Sequence, residues 1–396
     1  MVNSKEEKPK FKILSLDGGG MRGVISARIL QEIEDKIDKK YGQKLHEYFD
    51  LVAGTSTGSI LAAGIACKMD AGKLIEVYEK QGENIFLKSI RDMRKWRKLS
   101  QIFGGGVLYP HEFPDKSGEQ GLANVLKGKL KINSDKKSNK CPLLSEIKDL
   151  QLLIPSYDIL SRNTTWFAND DPKEWFYNLP LWQICTASAS APTFFPPYQL
   201  QYSDQKSLPH IDGGVSANNP VLAAIAYALS MTSDKKPSNI GKIAVLSIGT
   251  GKTTYPYTYA EVKKWGEAQW ARHIPHMFLD PDAENSEQIA LRMFRGIGRQ
   301  NYLRLNFDVN KHSNKKEIYN EYIRKSNTLK DKNDKRKEHV CEDIDNPDAF
   351  EELKFAAECY LKYGKVDYKK DNDSPDIPVE DAIDNFIYNH PPDHKH

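Results

Sequence analysis

The 396-residue chain has no run of about 18 apolar residues, so the sequence offers no candidate for a bilayer-crossing helix. It also lacks a dominant charge: 57 Lys and Arg stand against 54 Asp and Glu, a net charge of +3, which excludes the global basic field of a nucleic-acid binder. Cysteine is scarce. Cys67, Cys141, Cys185, Cys341 and Cys359 are odd in number, dispersed and without CxxC spacing, which argues against a disulfide framework or a zinc site and fits a reducing compartment. No metal and no cofactor is expected. The lead "MVNSKEEKPKFKILSLDGGG" has charge where a secretory signal would place its apolar segment. The expectation is a cytoplasmic protein, peripheral at membranes, with export by a non-classical route left open. At 39% hydrophobic and 28% charged residues, the composition is that of a globular chain able to bury a core.

What is present has the rhythm of an α/β protein. "FKILSL", Phe11 to Leu16, reads as a short buried strand running into Asp17-Gly18-Gly19-Gly20. Beyond Gly23, Ile25, Ile29, Ile33 and Ile37 recur every four residues and predict an amphipathic helix to about Lys40. The pattern repeats at "YFDLVAG", with "TSTG" as a turn and "SILAAGIAC" as a helix. Two strand-to-helix units in series imply parallel strands. Further strands are expected at "QLLIPSYDI" and "KIAVLSIGTG" (Lys242 to Gly251), with the helix "NPVLAAIAYALSM" (Asn219 to Met231) between them. From Lys88 to Lys140 the rhythm is lost, and Gly104 to Gly106 mark a flexible point. Lys311 to Lys337 reads as a solvated lysine- and asparagine-rich insertion. "DAFEELKFAAECYLKYG" closes as a helix at Gly364, and the tail from Lys369 is expected to be loose.

Three short segments carry chemistry. Gly54-Thr55-Ser56-Thr57-Gly58 fits G-x-S-x-G, in which a serine on a strained strand-to-helix turn exposes its hydroxyl beside the first helical amides. A serine nucleophile needs a base, and none of the ten histidines has a diagnostic neighbourhood. A carboxylate whose pKa is raised by an apolar pocket would serve instead, and "HIDGGVSANNP" offers Asp212, followed by Gly213 and Gly214. An Asp-Gly turn is the competing reading. "DGGGMRG", Asp17 to Gly23, supplies backbone amides able to face an anion. It is either a loop for a phosphate or nucleotide, since Gly18 to Gly23 match G-x-G-x-x-G, or an oxyanion hole with the amides of Gly19 and Gly20, and Arg22 adds positive charge.

In combination and order these segments resemble the patatin-like phospholipases, and "TASASAPTFFPP" (Thr186 to Pro197), "LSIGTG" (Leu246 to Gly251) and "NYLRLN" (Asn301 to Asn306) extend the resemblance over roughly residues 11 to 310. It implies a three-layer α/β/α sandwich with a mainly parallel central sheet and a helical and loop cap insertion. It further implies a catalytic domain over 1–310; the stretch 87–140, where the α/β rhythm is lost, and the lysine-rich stretch after Asn310 depart from the family pattern, and are expected to be a cap or lid insertion and, with the rest of 311–396, a segment packed on the same domain. The resemblance assigns Ser56 as nucleophile, Asp212 as base, Gly18, Gly19 and Gly20 as the oxyanion loop supported by Arg22, and Gly23, Gly54, Gly58, Gly213 and Gly214 as motif glycines. The expected activity is hydrolysis of acyl esters of phospholipids or lysophospholipids through an acyl-enzyme, without metal, in a housekeeping enzyme or a regulated membrane-damaging effector. An acyltransferase and a phosphate- or nucleotide-binding module are the alternatives. The expected partners are a phospholipid or lysophospholipid substrate, a transient membrane surface and an activating ligand or protein, with no nucleic acid.

Two surfaces bear on substrate access. "FLKSIRDMRKWRK", Phe86 to Lys98, sets Lys88, Arg91, Arg94, Lys95, Arg97 and Lys98 among apolar residues, which suits either an anionic lipid surface or a solvated helix with its apolar side on the core. Phe194, Phe195, Pro196 and Pro197 suit either a proline-bounded loop or the lining of an acyl pocket.

Overall fold

The computed structural model describes residues 11–100, 107–113, 118–132, 140–231, 236–252, 257–309, 340–341, 343–366 and 376–392. Its centre is an eight-stranded sheet of β1 (Phe11–Leu16), β2 (Leu51–Gly54), β3 (Gln151–Asp158), β4 (Asn163–Ala168), β5 (Tyr198–Ser203), β6 (Lys206–Asp212), β7 (Ile243–Ile248) and β8 (Tyr302–Leu305). β3, β2, β1, β7 and β8 run parallel in that spatial order. β1 and β7 are buried along their whole length, which is why both read as nearly unbroken apolar runs.

Alternation along these strands divides the core between two layers. Phe11 and Ile13 of β1, Leu51 and Ala53 of β2, and Ile243 and Val245 of β7 face one side, where they join Val221, Ala224, Ile225, Ala290 and Phe294 of the helices Val221–Ser230 and Glu267–Arg295. Leu14, Leu16, Val52, Leu246 and Ile248 face the other side, against the helices Gly23–Tyr41, Thr57–Ala66 and Ala71–Ile85. The expected α/β/α sandwich is the fold. The isoleucine repeat is the buried stripe of the helix Gly23–Tyr41, which stops at Gly42, in the left-handed region at φ 65° and donating to the Asp38 carbonyl at 2.8 Å.

The other half of the sheet is antiparallel. β4 pairs with one edge of β3 from Leu153 to Asp158, so β2 and β6 must both lie on the opposite edge. β2 reaches Leu153 from one end and β6 reaches Ser156 from the other. Two strands of opposite direction therefore meet end to end, with Pro155 at the gap. A proline there costs no ladder bond, because the amide it lacks would have faced the break.

The segment from Lys88 to Lys140 is partly helical, at Lys88–Ser100 and Leu122–Lys129, and Leu122, Val125 and Leu126 are built into the main core. Gly104 to Gly106 and Lys311 to Lys337 lie outside the described residues. The expectation of a loose tail from Lys369 is corrected over 376–392. The helix Val379–Asn389 buries Val379, Ala382, Ile383, Phe386 and Ile387, and Tyr41 donates to the Ile387 carbonyl at 3.0 Å. Its apolar positions follow helical spacing, a signal masked in the sequence by the polar residues around it. Among the described residues, no helix is long and apolar enough to cross a membrane.

Candidate active site

Ser56 stands two residues past the end of β2, at φ 53° and ψ −120°, a conformation a non-glycine residue adopts only when its surroundings enforce it. The enforcement is local. The Gly58 amide donates to the Thr55 carbonyl at 2.7 Å, and Ser59 Oγ donates to the Ser56 carbonyl at 2.6 Å. Glycine is required on both sides, because a Cβ on Gly54 would lie 2.1 Å from the Gly58 carbonyl oxygen and one on Gly58 would lie 2.3 Å from that of Leu16. The turn presses the helix Thr57–Ala66 against the end of β1 and leaves the serine hydroxyl facing a cavity.

Asp212 ends β6, and the end-to-end meeting of β2 and β6 brings it to Ser56. Ser56 Oγ donates to Asp212 Oδ2 at 2.6 Å, while Asp212 Oδ1 accepts the Gly214 amide at 2.7 Å. The second bond fixes the carboxylate plane, as the orienting group of a catalytic base does. Burial raises the Asp212 pKa from 3.8 to about 6, with the Ser56 and Gly214 bonds holding it back. A carboxylate at that value is a far better proton acceptor near neutrality than an exposed aspartate, yet it remains ionised there.

Ser188 bridges the gap in the sheet. Its hydroxyl donates to the Pro155 carbonyl at 2.7 Å and accepts the Ser56 amide at 3.1 Å. The carbonyls of Ser188 and Ser190 accept the amides of Gly213 and Asp212 at 3.1 and 3.0 Å. Sequence reasoning placed this segment in a motif but assigned Ser188 no role. A small hydroxyl residue repeated at Ser188 and Ser190 is a weak signal, and only the broken sheet shows what it satisfies.

The glycine loop leaves β1 on the same side. Gly18 donates its amide to the Asn218 carbonyl at 3.1 Å, so that amide is already bonded. Among the described residues no backbone acceptor meets the amides of Gly19 or Gly20, and both glycines line the cavity with Ser56 and Asp212. Arg22 also lines it, and its guanidinium donates to the Gly251 carbonyl at 3.4 Å. The base of the loop is fixed by a buried pair, in which Arg304 of β8 holds both Asp17 oxygens, at 2.9 and 2.5 Å, and bonds Ser247 Oγ at 2.8 Å. Arg304 was a missed residue, although an arginine within an apolar strand is itself a sign of a buried acidic partner.

The cavity has a volume of about 320 Å³. Met21, Ile60, Val77, Ile85, Phe86, Leu122, Phe194, Phe195 and Ile344 give it a mostly apolar lining, beside the polar Arg22, Ser56, Thr57, Tyr78, Asp212 and Asn218. Phe194 and Phe195 thus belong to the lining as well as to a loop. Of the basic residues between Phe86 and Lys98, Arg91 and Arg94 turn inward: Arg91 bonds the Phe86 carbonyl at 3.0 Å, and Arg94 bonds the carbonyls of Val107 and Thr193 at 2.8 and 2.7 Å. Lys88 is exposed, and the side chains of Lys95, Arg97 and Lys98 lie outside the described residues.

Histidine stays away from the serine among the described residues. His111 stacks on Phe195 with its Nε2 against the Pro196 carbonyl, and His210 is buried between Leu208 and Thr165. The nucleotide alternative lacks its ribose-binding acid, since Asp50 precedes β2 rather than following it and accepts the Lys12 amide at 2.7 Å. Among the described residues, no group of His, Cys, Asp or Glu is arranged to hold a metal ion.

A family model described as patatin-like phospholipase matches residues 14–225. Patatin-like protein 4 of Arabidopsis thaliana is 30% identical over 329 residues, covering 75% of this chain and 76% of the relative. Patatin-like protein 2 of Oryza sativa subsp. indica is 31% identical, covering 77% and 79%, and Patatin-T5 of Solanum tuberosum is 27% identical, covering 74% and 75%. Among solved structures, VipD from Legionella pneumophila covers 88% of this chain and 67% of its own at 11% identity and a TM-score of 0.34, a likeness too distant to bear on function.

Proposed function

The chain belongs to the patatin-like phospholipase family, and on that premise we propose that it is a lipid acyl hydrolase working through Ser56 and Asp212. The observation that supports this most is the 2.6 Å bond from Ser56 Oγ to a buried carboxylate lining a mostly apolar cavity. Asp212 accepts the serine proton as Oγ attacks the ester carbonyl, and the amides of Gly19 and Gly20 meet the oxyanion. Collapse of the tetrahedral intermediate expels the alcohol, which takes the proton from Asp212. Water, deprotonated in turn by Asp212, then attacks the acyl-enzyme, and collapse of the second intermediate releases the fatty acid as Ser56 Oγ takes the proton back from Asp212.

The substrate proposed is a phospholipid or lysophospholipid, with its acyl chain along Ile60, Val77, Phe86, Phe194 and Phe195. The test is fatty-acid release from mixed phospholipid and lysophospholipid vesicles by the wild type, Ser56→Ala and Asp212→Asn. Release by the wild type alone supports the reading. Undiminished release by Asp212→Asn would remove Asp212 as the base, and a folded but inactive wild type would count against hydrolysis altogether.

A further inference from the structure

The glycine loop is held from outside by a short strap near the far end of the chain. The Met21 amide donates to the Ile344 carbonyl at 2.8 Å. Gly20, at φ 57°, lies directly beneath: a Cβ there would fall 2.4 Å from the Ile344 oxygen and 2.8 Å from its Cβ. Ile344 also lines the cavity that contains Ser56. One wall of the site is therefore supplied by a residue remote in sequence from the loop it touches.

The strap is tied to the cap side by its next residue. Asp345 accepts the Tyr109 hydroxyl at 2.9 Å and lies 3.5 Å from Arg94 Nε. Arg94 sits over the rings of Phe194 and Tyr109, at 4.7 and 5.3 Å from their centres. Asp348 adds a bond from Arg91 at 3.3 Å, and Pro347 packs against Gly82. Arg91 and Arg94, for which the sequence left a lipid-facing role open, are thus engaged with the carboxylates of this strap.

We propose that Asp345 is a positioning residue for the hydrolase reaction: anchored by Tyr109 and Arg94, it fixes the Ile344 carbonyl, which holds Met21 and thereby aims the neighbouring Gly19 and Gly20 amides at the oxyanion. The inference rests on the hydrolase reading, and the loop's own motion supplies a measure independent of it. Gly20 has left-handed backbone freedom that a glycine loop would otherwise use to wander, and the Ile344 carbonyl is the acceptor that pins the residue after it.

The experiment compares full-length wild type, Asp345→Asn and Tyr109→Phe. Hydrogen exchange is followed in peptides covering 18–22, and kcat and KM are measured with p-nitrophenyl butyrate, too short to need the far end of the cavity. Faster exchange over 18–22 is expected in both variants, with kcat lowered about 10- to 100-fold for Asp345→Asn, less for Tyr109→Phe, and KM within about twofold of wild type. Unchanged exchange over 18–22 in both variants overturns the clamp, whatever the activity does. Faster exchange with unchanged kcat overturns its positioning role. If Asp345→Asn does not fold, Tyr109→Phe, which removes a single hydroxyl, decides by the same two readings. A wild type that loosens on substitution yet hydrolyses no ester would refute the hydrolase reading while leaving the clamp standing.

Discussion

Ser56 and Asp212 arrive at one bond from two differently built halves of the same sheet. In the parallel half, β1 and β2 each run into a glycine-containing turn and a helix, and the strain is carried by Ser56 itself at φ 53°. In the antiparallel half, β6 ends on Asp212 with ordinary backbone angles at Gly213, and what is unusual is electrostatic: a buried carboxylate with a raised pKa. In the proposed reaction, conformational strain in one half presents the nucleophile and desolvation in the other makes the base. Pro155 and Ser188 are the joint where the two halves meet.

Breaking the Ser56–Asp212 bond itself should have the largest effect. Ser56→Ala and Asp212→Asn are each expected to lower fatty-acid release by about 10⁴-fold or more, because members of such a unit are not independently replaceable. Activity measured per folded molecule checks this. Next in size is the glycine loop, the proposed oxyanion hole. Gly20→Ala forces a Cβ against Ile344, and a displaced donor should cost about 100- to 1000-fold in kcat. A chain-length series at fixed pH separates this from a loss of acyl binding, since kcat should fall for every ester alike.

The buried pair behind the loop tests stability rather than chemistry. Arg304→Met leaves Asp17 buried without its partner and should destabilise the fold by about 3–5 kcal/mol, read as a lowered urea midpoint. Asp17→Asn combined with Arg304→Met should recover part of that loss.

Asp212 sharpens the contrast through pH. Activity should rise as pH passes through about 6, where Asp212, the proposed base, becomes ionised. Stability should move the opposite way. The folded state binds the Asp212 proton more tightly than the unfolded chain, so this group's contribution is complete below its ordinary pKa of 3.8 and is lost as pH rises through about 6. With the pKa displaced from 3.8 to about 6, that loss is on the order of 3 kcal/mol. Asp212→Asn, uncharged throughout, should flatten that part of the curve between pH 3.8 and about 6. The smallest effect is expected at the far end of the helix Gly23–Tyr41, where Gly42→Ala meets no neighbour but must adopt φ 65°. It should cost about 1 kcal/mol of stability and leave the activity untouched.

The sequence itself determined the parts whose causes are local. The parallel strands are apolar runs buried on both faces, the isoleucine spacing marks one helical stripe, and Gly54 and Gly58 flank a serine because the turn has no room for side chains there. Asp212 was legible as a candidate from the raised-pKa argument and from the family resemblance, although its distance from any partner was not. The strap at Ile344 and the Ser188 bridge were hidden, since each acts across a large sequence separation on a group with no local signature, and at Arg304 the strand signalled a buried acidic partner without saying which. The buried helix Val379–Asn389 was hidden for a different reason, its helical apolar spacing being masked by the polar residues around it. Only the tertiary structure decided that β2 and β6 would meet end to end on one edge of β3. That meeting depends on which strands pair and in what register, and pairing over such separations is set by the burial of the whole sheet, not by the residues at the point of contact.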